Sequence, residues 1–199
     1  MAHEKWLASQ EPLTLWIKTY RDVLTRFTPP VTLPAWNLIM LDKPLQFAQV
    51  FQINASGGGV PKLPLRSAEV NTLGIVGDDH NNKVNHGGPD KAICLYSLEL
   101  IRALQVEGHP IFVGSTGENI TTAGLDWSLI EAGVRLKIGP SVELEITKYT
   151  TPCQTIRDSF RDQNIERMSS KANPGWARAY ARVLQPGTIA VGDAIRIVD

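Results

Sequence analysis

The chain has little of what most readily announces a function. Two cysteines, Cys94 and Cys153, occur in 199 residues, too few and too differently placed for a disulfide framework. That excludes a disulfide-stapled scaffold, points to a reducing compartment and leaves thiol chemistry open. Neither charge is in excess, with 20 Lys+Arg against 20 Asp+Glu, so the positive surface by which nucleic-acid binders neutralise phosphate is missing. No apolar run approaches the roughly 20 residues a membrane-spanning helix needs. The amino-terminal stretch has no basic region followed by an apolar one, and Glu4 and Glu11 set it apart from acid-poor transit peptides. It is read as mature sequence, and a cytoplasmic address is expected. There is no CxxC, HExxH or Walker loop, no ferredoxin cysteine set and no flavin or nicotinamide fingerprint. Zinc is therefore not expected despite His80 and His86, and any redox role would need an external electron donor.

What is present divides into two parts, residues 1–44 and 45–199. From Pro12 to Phe27 the apolar residues Trp16, Tyr20, Val23, Leu24 and Phe27 fall at helical spacing, and Thr28-Pro29-Pro30 ends the run. A proline-rich arm over 28–44 follows. The pattern then changes to strands over 46–54, 68–76, 91–97, 118–122, 134–138, 142–149 and 189–198, separated by glycine-rich turns, which predicts an antiparallel barrel. Helical inserts are expected at 97–107, where Leu98, Ile101 and Leu104 share a side, and at 174–184 around Trp176, Tyr180 and Leu184.

Four loops hold the unusual residues. Ser56-Gly57-Gly58-Gly59-Val60-Pro61-Lys62 is a flexible cradle whose amides can approach an anion and whose lysine can add a point charge. Gly77-Asp78 leads to His86-Gly87-Gly88, an imidazole beside exposed amides, suited to polar ligands or proton transfer. Gly117-Glu118-Asn119 is a turn into a strand. Thr151-Pro152-Cys153 leaves the alternating strand Val142–Tyr149 with a thiol held at a sheet rim, and Lys148 and Arg157 nearby favour its thiolate. Arg178 and Arg182 form either a solvated face or an anion contact. Cys94, inside the apolar run Ala92–Tyr96, reads as a small buried hydrophobe.

In this order the four segments resemble the MOSC domain, the module named after the C-terminal part of molybdenum-cofactor sulfurases, over roughly residues 46–198. The resemblance implies a strand-rich barrel similar to the pyruvate-kinase barrel domain, and a pocket for the molybdenum cofactor, molybdopterin, whose metal takes a family cysteine that Cys153 matches. A metal held by dithiolene sulfur readily accepts another soft thiolate. Ser56, Gly58, Gly59, Lys62, Gly87, Gly88, Asn119 and Arg182 are the expected cofactor contacts, with Cys153, His86 and Asp78 as the catalytic set. Family members include reductases of N-hydroxylated compounds, so the implied activity is reduction of an N-hydroxylated base or related small molecule with electrons from a partner reductase. The alternative is a carrier of the cofactor, or of sulfur as a Cys153 persulfide. Glu118 stands where the mitochondrial branch tends to have arginine, which separates this chain from the amidoxime-reducing type.

Overall fold

The computed structural model describes residues 47–81 and 86–198, so the helix expected over 12–27 and the arm over 28–44 lie outside the described residues. Strands dominate, in the order β1 (Gln49–Ala55), β2 (Leu63–Leu65), β3 (Ser67–Asn71), β4 (Gly74–Ile75), β5 (Ile93–Ser97), β6 (Ile120–Ala123), β7 (Arg135–Ile138), β8 (Val142–Tyr149), β9 (Ala179–Gln185), β10 (Gly187–Ala190) and β11 (Ile195–Val198). One α-helix of the described residues, α1 (Leu98–Val106), follows β5 directly. Its start is set by Ser97, whose hydroxyl accepts from the amides of Glu99 and Leu100, and it buries Leu98, Ile101 and Leu104 as their spacing predicts.

Eight strands form one sheet in the order β11-β7-β8-β9-β5-β6-β1-β2, and β10-β3-β4 form a second. The antiparallel pairing expected from the spacing is corrected at one place. β5 and β6 pair in parallel, joined through α1, because a connection long enough to hold a helix lets the chain return in the same direction. The ladder order ends at β11 and β2 without closing a ring. The large sheet nonetheless curls until the start of β11 meets the start of β1, with an isolated bridge between Gln49 and Ala194 and the Ile195 amide donating to the Ala48 carbonyl at 2.7 Å.

The core follows from period-two alternation. In β8, Val142, Leu144 and Ile146 are buried while Glu143 and Glu145 between them are not. β7 adds Leu136 and Ile138, and β9 adds Ala179, Ala181 and Val183. Each large aliphatic side chain removed from water contributes roughly 1.5–3 kcal/mol.

Residues 174–184 correct the second helix prediction, because Ala179–Gln185 is a strand between β8 and β5. A spacing of four residues, as between Trp176, Tyr180 and Leu184, places side chains on one face of a helix but equally on one face of a strand. The small residues Ala179 and Ala181 decide the matter, since they let β9 pack at the centre of the sheet with both neighbours paired.

Candidate functional site

A cavity of about 550 Å³ opens where the ends of β5, β8 and β9 meet the glycine loops. The sheet supplies one wall. Cys94 and Tyr180 are cross-strand partners in the β5–β9 ladder, so their side chains share a face, and both line the cavity. Lys148 and Tyr149 contribute from the end of β8, with the Tyr149 hydroxyl donating to the Ile130 carbonyl at 2.6 Å. Arg178 precedes β9, and its carbonyl accepts from the Thr150 amide at 2.8 Å.

A second wall, outside the sheet, carries the thiol. Residues 151–177 leave the sheet at the Thr150–Arg178 bond and return to it. Cys153 lies early in this excursion, partly exposed, with its Sγ 2.8 Å from the Thr155 hydroxyl. Arg157 is largely exposed and pairs with Asp158 at 3.6 Å, whereas Lys148 lines the cavity with the thiol. The excursion is pinned elsewhere. The Ser159 hydroxyl donates to the Ser115 hydroxyl at 3.0 Å, and Arg167 makes two hydrogen bonds to Glu107, of 2.8 and 2.6 Å, while stacking on Trp176 at 3.5 Å.

Beneath both walls lies a polar lattice centred on Asp78. Its carboxylate accepts from the Ser56 amide at 2.9 Å, from Asn119 Nδ2 at 2.8 Å and from Lys62 Nζ, with which it forms a buried ion pair. Asn119 is taken up by the scaffold as well. Its Oδ1 accepts from the Cys94 amide at 3.1 Å, and its own amide donates to the Cys94 carbonyl at 2.7 Å. Glu118 is fully buried and brackets the turn before it, accepting from the Gly114 amide at 2.5 Å and the Thr116 hydroxyl at 2.7 Å. A side chain at Gly114 would meet the Lys62 carbonyl at 2.4 Å, which with its φ of +86° explains the glycine.

The predicted residues therefore divide. Gly59, Lys62, His86 and Cys153 line the cavity, and Ser56 folds the cradle by donating to the Gly59 carbonyl at 3.0 Å. At Gly58 a Cβ would lie 2.2 Å from Asn81 Oδ1, so the cradle closes around that side chain. Gly87 and Gly88 border a smaller recess of about 240 Å³ shared with Asp78 and His86. Asp78 and Asn119 are not in the lining of the larger cavity. Arg182 is apart from it too: two residues beyond Tyr180, it pairs with Asp90 at 3.1 Å and Glu145 at 3.7 Å, because the strand carries it away from the cavity mouth.

Sequence reasoning undervalued Arg178, Tyr180 and Cys94. Arg178 lines the cavity and is 6% exposed; its Nη1 donates to the Thr116 carbonyl, and its Nε is buried with no hydrogen-bond partner among the described residues. Period-two reading of 179–185 would have shown Tyr180 on a strand face. Burial pushes the Cys94 thiol up. His86 Nδ1 lies 2.9 Å from the Tyr180 hydroxyl. Burial first, then Arg178, the His80 imidazole, Lys91 and Lys62, hold His86 below its ordinary value, so near neutrality the imidazole is neutral.

The fold and this cavity define a MOSC domain: the family model for the MOSC domain matches residues 82–196, and the chain belongs to that family. The match begins beyond the 56–62 cradle. Among individual proteins, the chain is 29% identical over 143 residues to YflK of Bacillus subtilis strain 168, covering 70% of this chain and 63% of YflK. It is 27% identical over 131 residues to YiiM of Escherichia coli K12, covering 63% of this chain and 57% of YiiM. The matched stretch thus spans less than two thirds of either relative. The crystal structure of YiiM from Geobacillus stearothermophilus superposes with a TM-score of 0.62 at 24% identity, covering 76% of this chain and 75% of that one. That of YiiM from Escherichia coli gives 0.56 at 20%, covering 76% and 70%. At these identities the superpositions speak for the fold. No helix among the described residues is long and apolar enough to cross a membrane.

Proposed function

We propose that this chain binds the molybdenum cofactor in the 550 Å³ cavity, with the Cys153 thiolate as the one protein ligand to the metal, and that it reduces N-hydroxylated bases or related small molecules. The observation that carries the reading is the presence in one lining of a partly exposed soft donor and of Arg178, a buried guanidinium whose Nε has no hydrogen-bond partner among the described residues. A buried donor left unmade costs about 1–3 kcal/mol, and an anionic ligand would remove that cost.

The donor set fits the group. Among the described residues no three of His, Cys, Asp and Glu come together to hold a metal, so a single thiolate suits a metal that arrives with its own sulfur ligands. The lining carries Lys62, Lys91, Lys148 and Arg178 against the carboxylate of Asp79, a balance that favours an anion. Lys62 is already paired with Asp78, which makes Arg178 and Lys148 the stronger candidates for the anionic end, in place of Lys62 and Arg182. When bound, the cofactor would supply the two-electron redox chemistry. The chain itself would anchor the metal through Cys153, hold the anionic end with Arg178, and keep a neutral imidazole and a phenol beside the substrate. Electrons would come from a separate reductase.

The test is to purify the protein from a host that makes the cofactor, measure molybdenum and pterin, and assay reduction of an N-hydroxylated base with an artificial electron donor. Near-stoichiometric metal together with turnover supports the reading. A loaded protein that turns over no N-hydroxylated compound yet passes cofactor or sulfur to an apo-enzyme is a carrier instead.

A further inference from the structure

Three tyrosines of the large sheet, of which Tyr149 and Tyr180 line the cavity, satisfy their hydroxyls in two different ways. Tyr96 donates to the Trp176 carbonyl at 3.1 Å and Tyr149 to the Ile130 carbonyl at 2.6 Å. A carbonyl only accepts, so each of those protons is fixed in place. Tyr180 instead meets the ring nitrogen of His86 at 2.9 Å, and an imidazole can either accept a proton or give one. The two partners are mounted differently as well. Tyr180 is on the central strand β9, fixed by ladders on both sides, while His86 belongs to a glycine-flanked loop. Both face the cavity that holds Cys153.

Resting on the reading of the site given above, we propose that Tyr180 is a catalytic residue that delivers a proton to the bound substrate, and that His86 restores that proton to Tyr180. The phenolic O–H bond breaks as a new bond to hydrogen forms at the departing oxygen or nitrogen of the substrate. The phenolate oxygen takes the proton from His86 Nδ1, and Nε2 takes one from water. Exchange with solvent then resets the ring. The net transfer is one proton from water to substrate, and no electron passes through the pair.

The surroundings keep both groups in the states this relay needs. Burial, with Cys94 next, pushes the Tyr180 hydroxyl far up against the opposing pull of Arg178, so it stays protonated at any working pH. Burial first, then the cations Arg178, Lys91 and Lys62 and the neighbouring imidazole of His80, all of which face His86, hold it below its ordinary value. His80 stacks on it at 6.4 Å and is itself partly exposed, placing the imidazole pair between the cavity and solvent.

Two variants test this. Tyr180→Phe keeps the ring and the strand and removes only the hydroxyl, while His86→Asn keeps a nitrogen near the Nδ1 position but cannot relay a proton. On ligand-free protein, 15N NMR of the imidazoles should show His86 titrating below 6.5, with its Nδ1 signal shifted by Tyr180→Phe. On loaded protein, each variant should lower kcat about 100-fold with KM little changed, as expected for loss of a general acid, and molybdenum content should stay at the wild-type level. An Nδ1 signal untouched by Tyr180→Phe, or wild-type kcat in that variant, overturns the relay. If loaded wild type turns over nothing, the reductase reading has failed, and the NMR measurement alone then decides whether the pair exists.

Discussion

The two walls of the cavity differ in what holds them. Cys94 and Tyr180 stand on adjacent central strands, and Arg178 adjoins the second of these; the backbone there is fixed by ladders to β8, β5 and β6. Cys153 stands on an excursion with short 3-10 turns at Gln154–Ser159 and Ile165–Met168, held by side chains: Ser159 to Ser115, Arg167 to Glu107 and Trp176. A ladder bond survives most side-chain changes, whereas a side-chain clamp is lost with one of them. The thiol with the more exposed sulfur is thus on the more adjustable wall, and the buried thiol is on the rigid one. This arrangement suits a site where one group must meet a metal and the rest must keep a shape.

The contrast can be broken hardest at its shared base. Asp78→Ala leaves Lys62 as a buried charge without its partner, and breaking such a pair costs about 3–5 kcal/mol; thermal or urea unfolding should show that loss, whereas a change below 1 kcal/mol would mean Lys62 turns out to solvent. Exchanging the thiols sharpens it next. Cys153→Ser should lose most of the molybdenum from protein made in a cofactor-producing host, and Cys94→Ser should keep it, as measured by metal analysis; equal retention in both would remove Cys153 as the ligand. Arg178→Lys keeps the charge but not the fork of donors, and should weaken cofactor retention while costing roughly 1–3 kcal/mol of stability from the altered Thr116 contact.

The smallest effect belongs to the clamp. Glu107 is held below the usual carboxylate range, chiefly by its hydrogen bonds to Arg167. A carboxylate lowered in the folded state contributes stability that is present above its unfolded value near 4.3 and is lost as pH falls through the folded value. Because Glu107 is 39% exposed, the contribution should stay below about 1 kcal/mol. Thermal scans from pH 7 to 3 should show Glu107→Gln less stable than wild type at neutral pH and the difference vanishing in acid; a constant difference would mean that the ion pair adds nothing.

Much of this was legible in the chain. The alternation in Val142–Tyr149 and the helical spacing in Leu98–Leu104 report which faces are buried, and burial is what sequence patterns encode. The four glycine and thiol segments also come together around one cavity and its base. What was hidden depended on direction rather than on composition. Nothing local distinguishes a strand from a helix at Trp176, Tyr180 and Leu184 until the alanines are set against a sheet, and with β9 misread, Arg178 and Arg182 could not be told apart. Cys94 has an apolar neighbourhood in sequence, yet its cross-strand partner Tyr180 turns it toward the cavity. The role of Asp78 as a hub for Ser56, Lys62 and Asn119 arises from residues 16 to 41 positions away.

The place of β9 in the sheet has a consequence for the order in which the site can come into being. In the ladder order β9 stands between β11-β7-β8 and β5-β6-β1-β2, and in the chain it follows every strand of both groups except β11. During synthesis the amino-terminal strands leave the ribosome first, but neither half can join the other through the sheet until Ala179–Gln185 has emerged. Arg178 and Tyr180 arrive with that same segment. A nascent chain therefore exposes Cys153 before it has a cavity to shelter it, and the joining of the sheet and the completion of the site are one event.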